Sequence, residues 1–294
     1  MISTLFSAVF LLLLITKPSI CMNGCAKGLT LWYKQLLPSL FPAMAAASIL
    51  ISRKSIQVLL KKLPFTDAVV FFSALICGNP MGALTCSSLC SSNLISIKKS
   101  RWLICFVQIP SPMFLFGFCA SSVLGLHDAS IFAFCAYLPF FCSFVFFLLL
   151  NILSSKKERS CESALLPEPS FDSVCDTCLL LLVRIGILMM LFSIIAELLQ
   201  DFISSYSFFA DICMYSDVCI GLLEMTTGIT KLGSSLLPTH ARCALCLFLL
   251  GYGGLCIHIQ IFNAWQHEKF PWLRYELVRI SSGLCSCFVY LLLI

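Results

Sequence analysis

The chain has 294 residues, of which 60% are hydrophobic and 11% charged, against roughly 25% charged in an ordinary soluble domain. That composition excludes a soluble globular domain and points to an all-α polytopic membrane protein. The net charge of +5 is spread over short segments with no basic-aromatic patch, which excludes a nucleic-acid partner and suits membrane topology.

The first charge-free run is Met1 to Thr16. No basic residue precedes it and no small-x-small cleavage pattern follows before "TKPSICMNG", so residues 1–23 are expected to hold a retained, short N-terminal span. Lys17, Lys27 and Lys34 make the next stretch basic, which leaves the orientation of the first two segments open. Basic clusters then recur in "SRKSIQVLLKK" (Arg53, Lys54, Lys61, Lys62), "KKSR" (Lys98, Lys99, Arg101) and "KKER" (Lys156, Lys157, Arg159). A fourth lies around Lys269, Arg274 and Arg279. The positive-inside rule puts all four on the cytoplasmic side. Residues 201–217, with Asp201, Asp211 and Asp217 and no Lys or Arg, fit the opposite face.

Between the first two clusters runs Ala68 to Ile97, without a charge, and inside it lies "SALICGNPMGALTCSS". Pro80 lacks an amide hydrogen and collides with the preceding turn, while Gly78 and Gly82 loosen the backbone beside Asn79, so the helix breaks here. If both clusters share a side, the run enters and returns as a hairpin whose tip reaches the midplane. The alternative is one interrupted helix crossing fully. Either way, broken backbone at that depth needs protein or a water-filled cavity around it.

Trp102 to Leu126 and Ala129 to Leu153 are charge-free and exceed the ~20 residues a crossing helix needs, so each is expected to cross as one helix. A polar linker, residues 154–173, separates a first half, residues 24–153, from a second, residues 174–294. The second half opens with a span, residues 174–200, that carries Arg184 and Glu197. Then come "GLLEMTTGITKLGSS", with Glu224, Thr226, Thr227 and Gly228, and "LLGYGGLCIHIQIF", with Gly251, Gly253, Gly254, His258 and Gln260. Corresponding interruptions in two halves point to a transporter with internal repeats and a midplane site.

Nineteen cysteines, most of them in apolar runs, behave as small hydrophobes. "CDTC" (Cys175, Cys178) and "CALC" (Cys243, Cys246) have metal-ligand spacing but no nearby loop ligands, so no metal and no cofactor is expected.

Four ordered motifs carry a family resemblance: "GLTLWYKQLLPSLFPAMAAASILI" (Gly28, Trp32, Pro38, Ser39, Leu40, Phe41, Pro42), "GNPMGA", "LLEMTTGI" and "GYGGLCIHIQ". In this order they resemble the sporulation integral membrane protein YlbJ family, also called SpoVV, from about residue 24 to 290. The resemblance implies two Gate-like, nucleoside-recognition-like halves with broken or re-entrant helices meeting at the bilayer midplane. It also implies a bacterial cell membrane or mother-cell-derived outer forespore membrane, and transport of dipicolinic acid toward the forespore. The chain has Asn79 where the family motif commonly has an aromatic residue, and the backbone break survives that change.

A dicarboxylate substrate brings two negative charges, which helix N-termini after Pro80 and after Gly254 can receive without a lysine. Asn79 and Gln260 can add donors, and Thr226 or Thr227 a hydroxyl. Plainer readings stand beside these. The 251–254 glycines can serve close helix packing, the threonines can bond back to their own helix, and His258 can be a neutral core histidine. Glu224 is costly inside a membrane segment and calls for a partner, for which Lys231 and Arg184 are the candidates. It can take up a coupling proton, orient one of those cations toward the substrate, or cap a helix. Arg184 can also simply snorkel.

The expected function is therefore transport of a small organic anion, by a chain embedded in the lipid bilayer that can associate with further copies of itself. One alternative is an enzyme acting on a lipid or peptidoglycan precursor, for which only Glu224, His240 and His258 lie near one another and no nucleophile-base signature is seen. The other is a membrane assembly factor whose breaks are packing devices. No catalytic residue is expected.

Overall fold

The computed structural model describes residues 2–53, 66–153, 170–205, 216–265, 267 and 269–294, and all regular structure among them is helical. The helices are α1 (Ile2–Thr16), α2 (Pro18–Leu31), a π-helical turn (Trp32–Leu36) and α3 (Leu37–Ser52). Next come α4 (Thr66–Cys77), α5 (Met81–Ser91), α6 (Ile97–Phe106), α7 (Met113–Val123, wound as a π-helix) and α8 (Ser130–Leu153). The second half of the described chain holds α9 (Phe171–Ser205), α10 (Ser216–Leu223), α11 (Met225–Ser234), α12 (Thr239–Tyr252), α13 (Gly254–Ala264) and α14 (Trp272–Leu293). Residues 154–169 of the linker and the basic residues Lys54, Lys61, Lys62, Lys156, Lys157 and Arg159 fall outside the described residues, as does Asp211.

Four stretches among the described residues are long and apolar enough to cross a bilayer: Ser130–Leu149, Phe171–Ser205, Thr239–Ala264 and Trp272–Leu293. The chain is a multi-pass integral membrane protein. At the N-terminus, α1 covers about 22 Å against a hydrocarbon core of about 30 Å. Pro18, which cannot donate back into α1, turns the chain through 107° at Lys17. The N-terminal run is thus a helix bent off its successor, and α1 with the helices after it makes at most one further span.

Close helix packing rests on small residues, as expected where lipid provides no hydrophobic drive between helices. Gly24 and Gly28 of α2 lie directly on the Met189–Ile194 backbone of α9, and Gly186 of α9 lies under the Trp32 indole. Trp32 Nε1 donates to Leu182 O at 2.8 Å. On the other side of the molecule, Gly251 of α12 meets Gly283 of α14 backbone to backbone.

The "GNPMG" run forms a helical hairpin. Residues eight apart in one straight helix would lie about 12 Å apart, yet a Cβ on Gly82 would sit 2.5 Å from Ala74 Cβ, so α5 folds back on α4. Gly78 takes φ +73 and Asn79–Pro80 is cis at the reversal. The arms are about 18 and 16 Å long, and the hairpin reading holds over the single interrupted helix.

A second hairpin repeats this in the "LLEMTTG" motif. A Cβ on Gly228 would lie 2.2 Å from Gly221 Cα, which places α11 flat against α10 with the reversal at Glu224. Each hairpin is followed by an interrupted segment, α6/α7 after the first and α12/α13 after the second.

The α6/α7 interruption corrects the expectation of one crossing helix over Trp102–Leu126. The stretch "QIPSP" holds Pro110 and Pro112, neither of which can donate to a preceding turn, and α6 ends at Phe106. Charge counting alone hid that break.

The basic clusters sort by end. Arg274 lies 3.8 Å over the Trp102 ring, which brings the second and fourth clusters to the same end of the bundle. Lys17 is ion-paired with Asp201, and Lys27 Nζ lies 2.8 Å from Glu197 Oε2. The basic N-terminal stretch is therefore matched by the acidic end of α9.

Candidate functional site

The four breaks converge. At the first hairpin tip, a Cβ on Gly78 would sit 3.1 Å from Ser111 in the α6/α7 break. From the same break, Gln108 Nε2 donates to Tyr252 O at 3.1 Å, where α12 ends. Gly254, starting α13, packs against Gly221 O and Met225 N of the second hairpin. Between them lies a cavity walled by Gly78, Asn79, Pro110, Ser111, Glu224, Thr226 and Gln260, with Leu36, Leu40, Phe114, Ile185, Met189, Met225 and Ile257 as its apolar side.

The space between atoms is ≈ 480 Å³ including the open mouth, and the part open to the centre of a water molecule is ≈ 40 Å³. That is room for about three waters.

Helix N-termini face the cavity: α5 starts after Asn79 and Pro80, α7 after Pro110 and Ser111, and α11 after Glu224. Each such end carries unpaired amides and a partial positive charge. Two are already capped by side chains. Glu224, 2% exposed, accepts from Thr226 N at 3.0 Å and Thr227 N at 2.6 Å, and Ser111 Oγ accepts from Phe114 N at 3.3 Å. The α5 N-terminus has no side-chain cap. Beside it, Asn79 Oδ1 is buried without a hydrogen-bond partner.

Carbonyls freed at the α6/α7 and α12/α13 breaks are met by donors. Arg279, fully buried on α14, donates from Nη1 to Gln108 O and from Nη2 to Cys105 O, both at 2.9 Å. Tyr137 OH donates to Pro110 O at 3.1 Å. Tyr275 OH donates to Gln108 Oε1 at 2.5 Å, which fixes the amide so that its nitrogen faces Tyr252 O. This satisfies much of the backbone freed by the α6/α7 break, as a break inside a membrane protein demands.

Of the residues singled out from the sequence, Gly78, Asn79, Glu224, Thr226 and Gln260 line the cavity. Pro80 caps α5 next to it. The others are placed elsewhere. Gly82 packs on Ala74 and Val107, and Gly228 on Gly221. Gly251 packs on Gly283, Gly253 on Gln108, and Gly254 on the α10 carbonyls. Thr227 gives its amide to Glu224, and its hydroxyl lies 3.3 Å from Ser193 Oγ. His258 sits behind the cavity wall, between Tyr252 O and Glu276.

Neither proposed cation partners Glu224. Lys231 is bonded to Gln200 and lies 3.6 Å from Glu197 Oε1, one turn and more along α11 from the cavity. Arg184 is exposed on α9, in keeping with snorkelling. Glu224 is a helix cap, and it is the one charged side chain among the described cavity residues.

Gln108, Ser111, Tyr275, Glu276 and Arg279 were not expected at the site. Arg279 in particular was assigned to a surface basic cluster. The available signals were the paired prolines of "QIPSP" and the i, i+1, i+4 spacing of Tyr275, Glu276 and Arg279, which puts them near one face of α14.

Fold and site together define an all-α polytopic membrane protein in which two helical hairpins and two interrupted helices meet around a small cavity. Over 345 aligned positions the chain is 23% identical to the sporulation integral membrane protein YlbJ of Bacillus subtilis (strain 168), covering 99% of this chain and 83% of that protein. No family model and no solved structure matches the chain.

Proposed function

We propose that this chain transports a small organic anion across the membrane through the cavity where the four breaks meet. The observation that carries the reading is the convergence of the α5, α7 and α11 N-termini on one cavity, with the Cys105, Gln108, Pro110 and Tyr252 carbonyls of the neighbouring breaks taken up by Arg279, Tyr137 and Gln108. Such an arrangement favours negative charge without a lysine. The α5 N-terminus, uncapped and flanked by Gly78 and Asn79, is the place for a substrate carboxylate. The similarity to a sporulation membrane protein supports a role in spore formation, and dipicolinate, implied by the family resemblance, is the first substrate to test.

The test is uptake of labelled dipicolinate into proteoliposomes that contain the purified chain. Uptake above protein-free vesicles is expected. Gly78→Ala should lower it severalfold with insertion intact, because φ +73 disfavours a side chain and the new Cβ presses on Ser111 at 3.1 Å. Uptake no greater than in empty vesicles would reject dipicolinate transport and leave the assembly-factor reading, in which the breaks serve packing.

A further inference from the structure

His258 is 1% exposed and uses both ring nitrogens: Nε2 lies 2.9 Å from Tyr252 O, and Nδ1 lies 2.9 Å from Glu276 Oε1. A carbonyl oxygen only accepts, so Nε2 must carry a hydrogen. A neutral ring protonated there has a lone pair at Nδ1, and an ionised carboxylate offers lone pairs alone. Two acceptors do not form a 2.9 Å hydrogen bond, so one further proton lies between Nδ1 and Oε1.

We propose that His258 and Glu276 form a proton-binding site, apart from the solute cavity, whose occupancy controls the α12/α13 break. The site follows from hydrogen-bond chemistry and does not depend on which solute the cavity carries. Loaded, the pair has net charge zero, whether the proton rests on nitrogen or oxygen. Unloaded, its charge is −1. The proton exchanges by way of the Glu276 side chain, which is 32% exposed while that of His258 is 2% exposed.

The surrounding groups suit this exchange. Arg279 on α14 lies within electrostatic range and bonds to carbonyls, which keeps its positive charge available to balance the unloaded state. Tyr252 of α12 and Tyr275 of α14 present their rings at 4.7 and 5.2 Å from the imidazole. Cys105 of α6 lies beyond Tyr275 and Arg279, and Cys256 is on the same helix as His258.

Loss of the proton sets the Nδ1 lone pair against the carboxylate, so the ring turns or Glu276 swings outward. Turning the ring withdraws the Nε2 donor from Tyr252 O, leaving Gln108 Nε2 as that carbonyl's other partner. Gln108 belongs to the same break as Pro110 and Ser111, which wall the cavity. Proton occupancy is thus transmitted to the cavity through one carbonyl and one amide.

The test is nitrogen-15 solid-state NMR of histidine-labelled protein in lipid vesicles, from about pH 4 to about pH 10, with the His258 signals assigned by their loss in His258→Gln. Expected is a ring that holds hydrogen on Nε2 in the loaded state and changes at Nδ1 as the proton leaves. Glu276→Gln should abolish that response, because its amide N–H supplies a permanent donor to Nδ1 and keeps the ring neutral. A His258 ring of unchanging form across the range in wild type, or one with hydrogen on Nδ1 and a bare Nε2, would overturn the proposal. So would equal pH responses in wild type and Glu276→Gln.

Discussion

Gly253→Ala should lower the thermal stability of the purified protein in detergent. The residue sits at φ +100, where a side chain costs roughly 1–2 kcal/mol. Its new Cβ would lie 1.4 Å from Gln108 Nε2, so the amide must leave. Tyr252 O then keeps His258 Nε2 as its donor, but Tyr275 OH loses its acceptor, at about 1–3 kcal/mol for the buried hydroxyl left unpaired. The double variant isolates the cause. In a Gln108→Ala background the clash is already gone, and Gly253→Ala should cost only its backbone strain. An equal loss of melting temperature in both backgrounds would show that Gln108 does not hold the α12/α13 break.

Glu224→Gln should change dipicolinate affinity in a direction that reports how Glu224 acts on a bound anion. Glu224 is the single charged side chain among the described cavity residues and is ion-paired with no cation among the described residues. Two like unit charges about 7 Å apart at an effective dielectric of about 20 repel by roughly 2 kcal/mol. Removing the carboxylate charge should therefore tighten binding of the dianion by roughly thirtyfold, measured by calorimetry on the purified protein. The amide oxygen can still accept from one of the two α11 amides, so stability should fall by only about 1 kcal/mol. Weaker binding would mean that Glu224 holds the α11 N-terminus in the geometry the dianion needs, which outweighs its charge. Unchanged binding would place the solute away from Glu224.

Composition and local backbone chemistry made much of the fold legible. Charge-free runs announced the membrane, because a charged side chain in hydrocarbon is expensive. The Gly78–Asn79–Pro80 and Gly253–Gly254 breaks were readable because glycine at positive φ and proline without an amide act within a few residues of themselves. The hairpin at "GNPMG" followed from basic clusters on both sides of a run too short to cross twice.

What stayed hidden was set by partners far along the chain. Arg279 looks like a loop cation until α14 packs on α6 and its guanidinium meets carbonyls more than 170 residues away. Glu224 seemed to need Lys231, seven positions on, but the α10/α11 reversal turned its carboxylate onto its own helix start and left Lys231 to Glu197 and Gln200. Short-range steric rules told where the helices break. Only long-range packing decided which break faces which, because a freed carbonyl or amide accepts whatever donor or acceptor the folded chain brings to it.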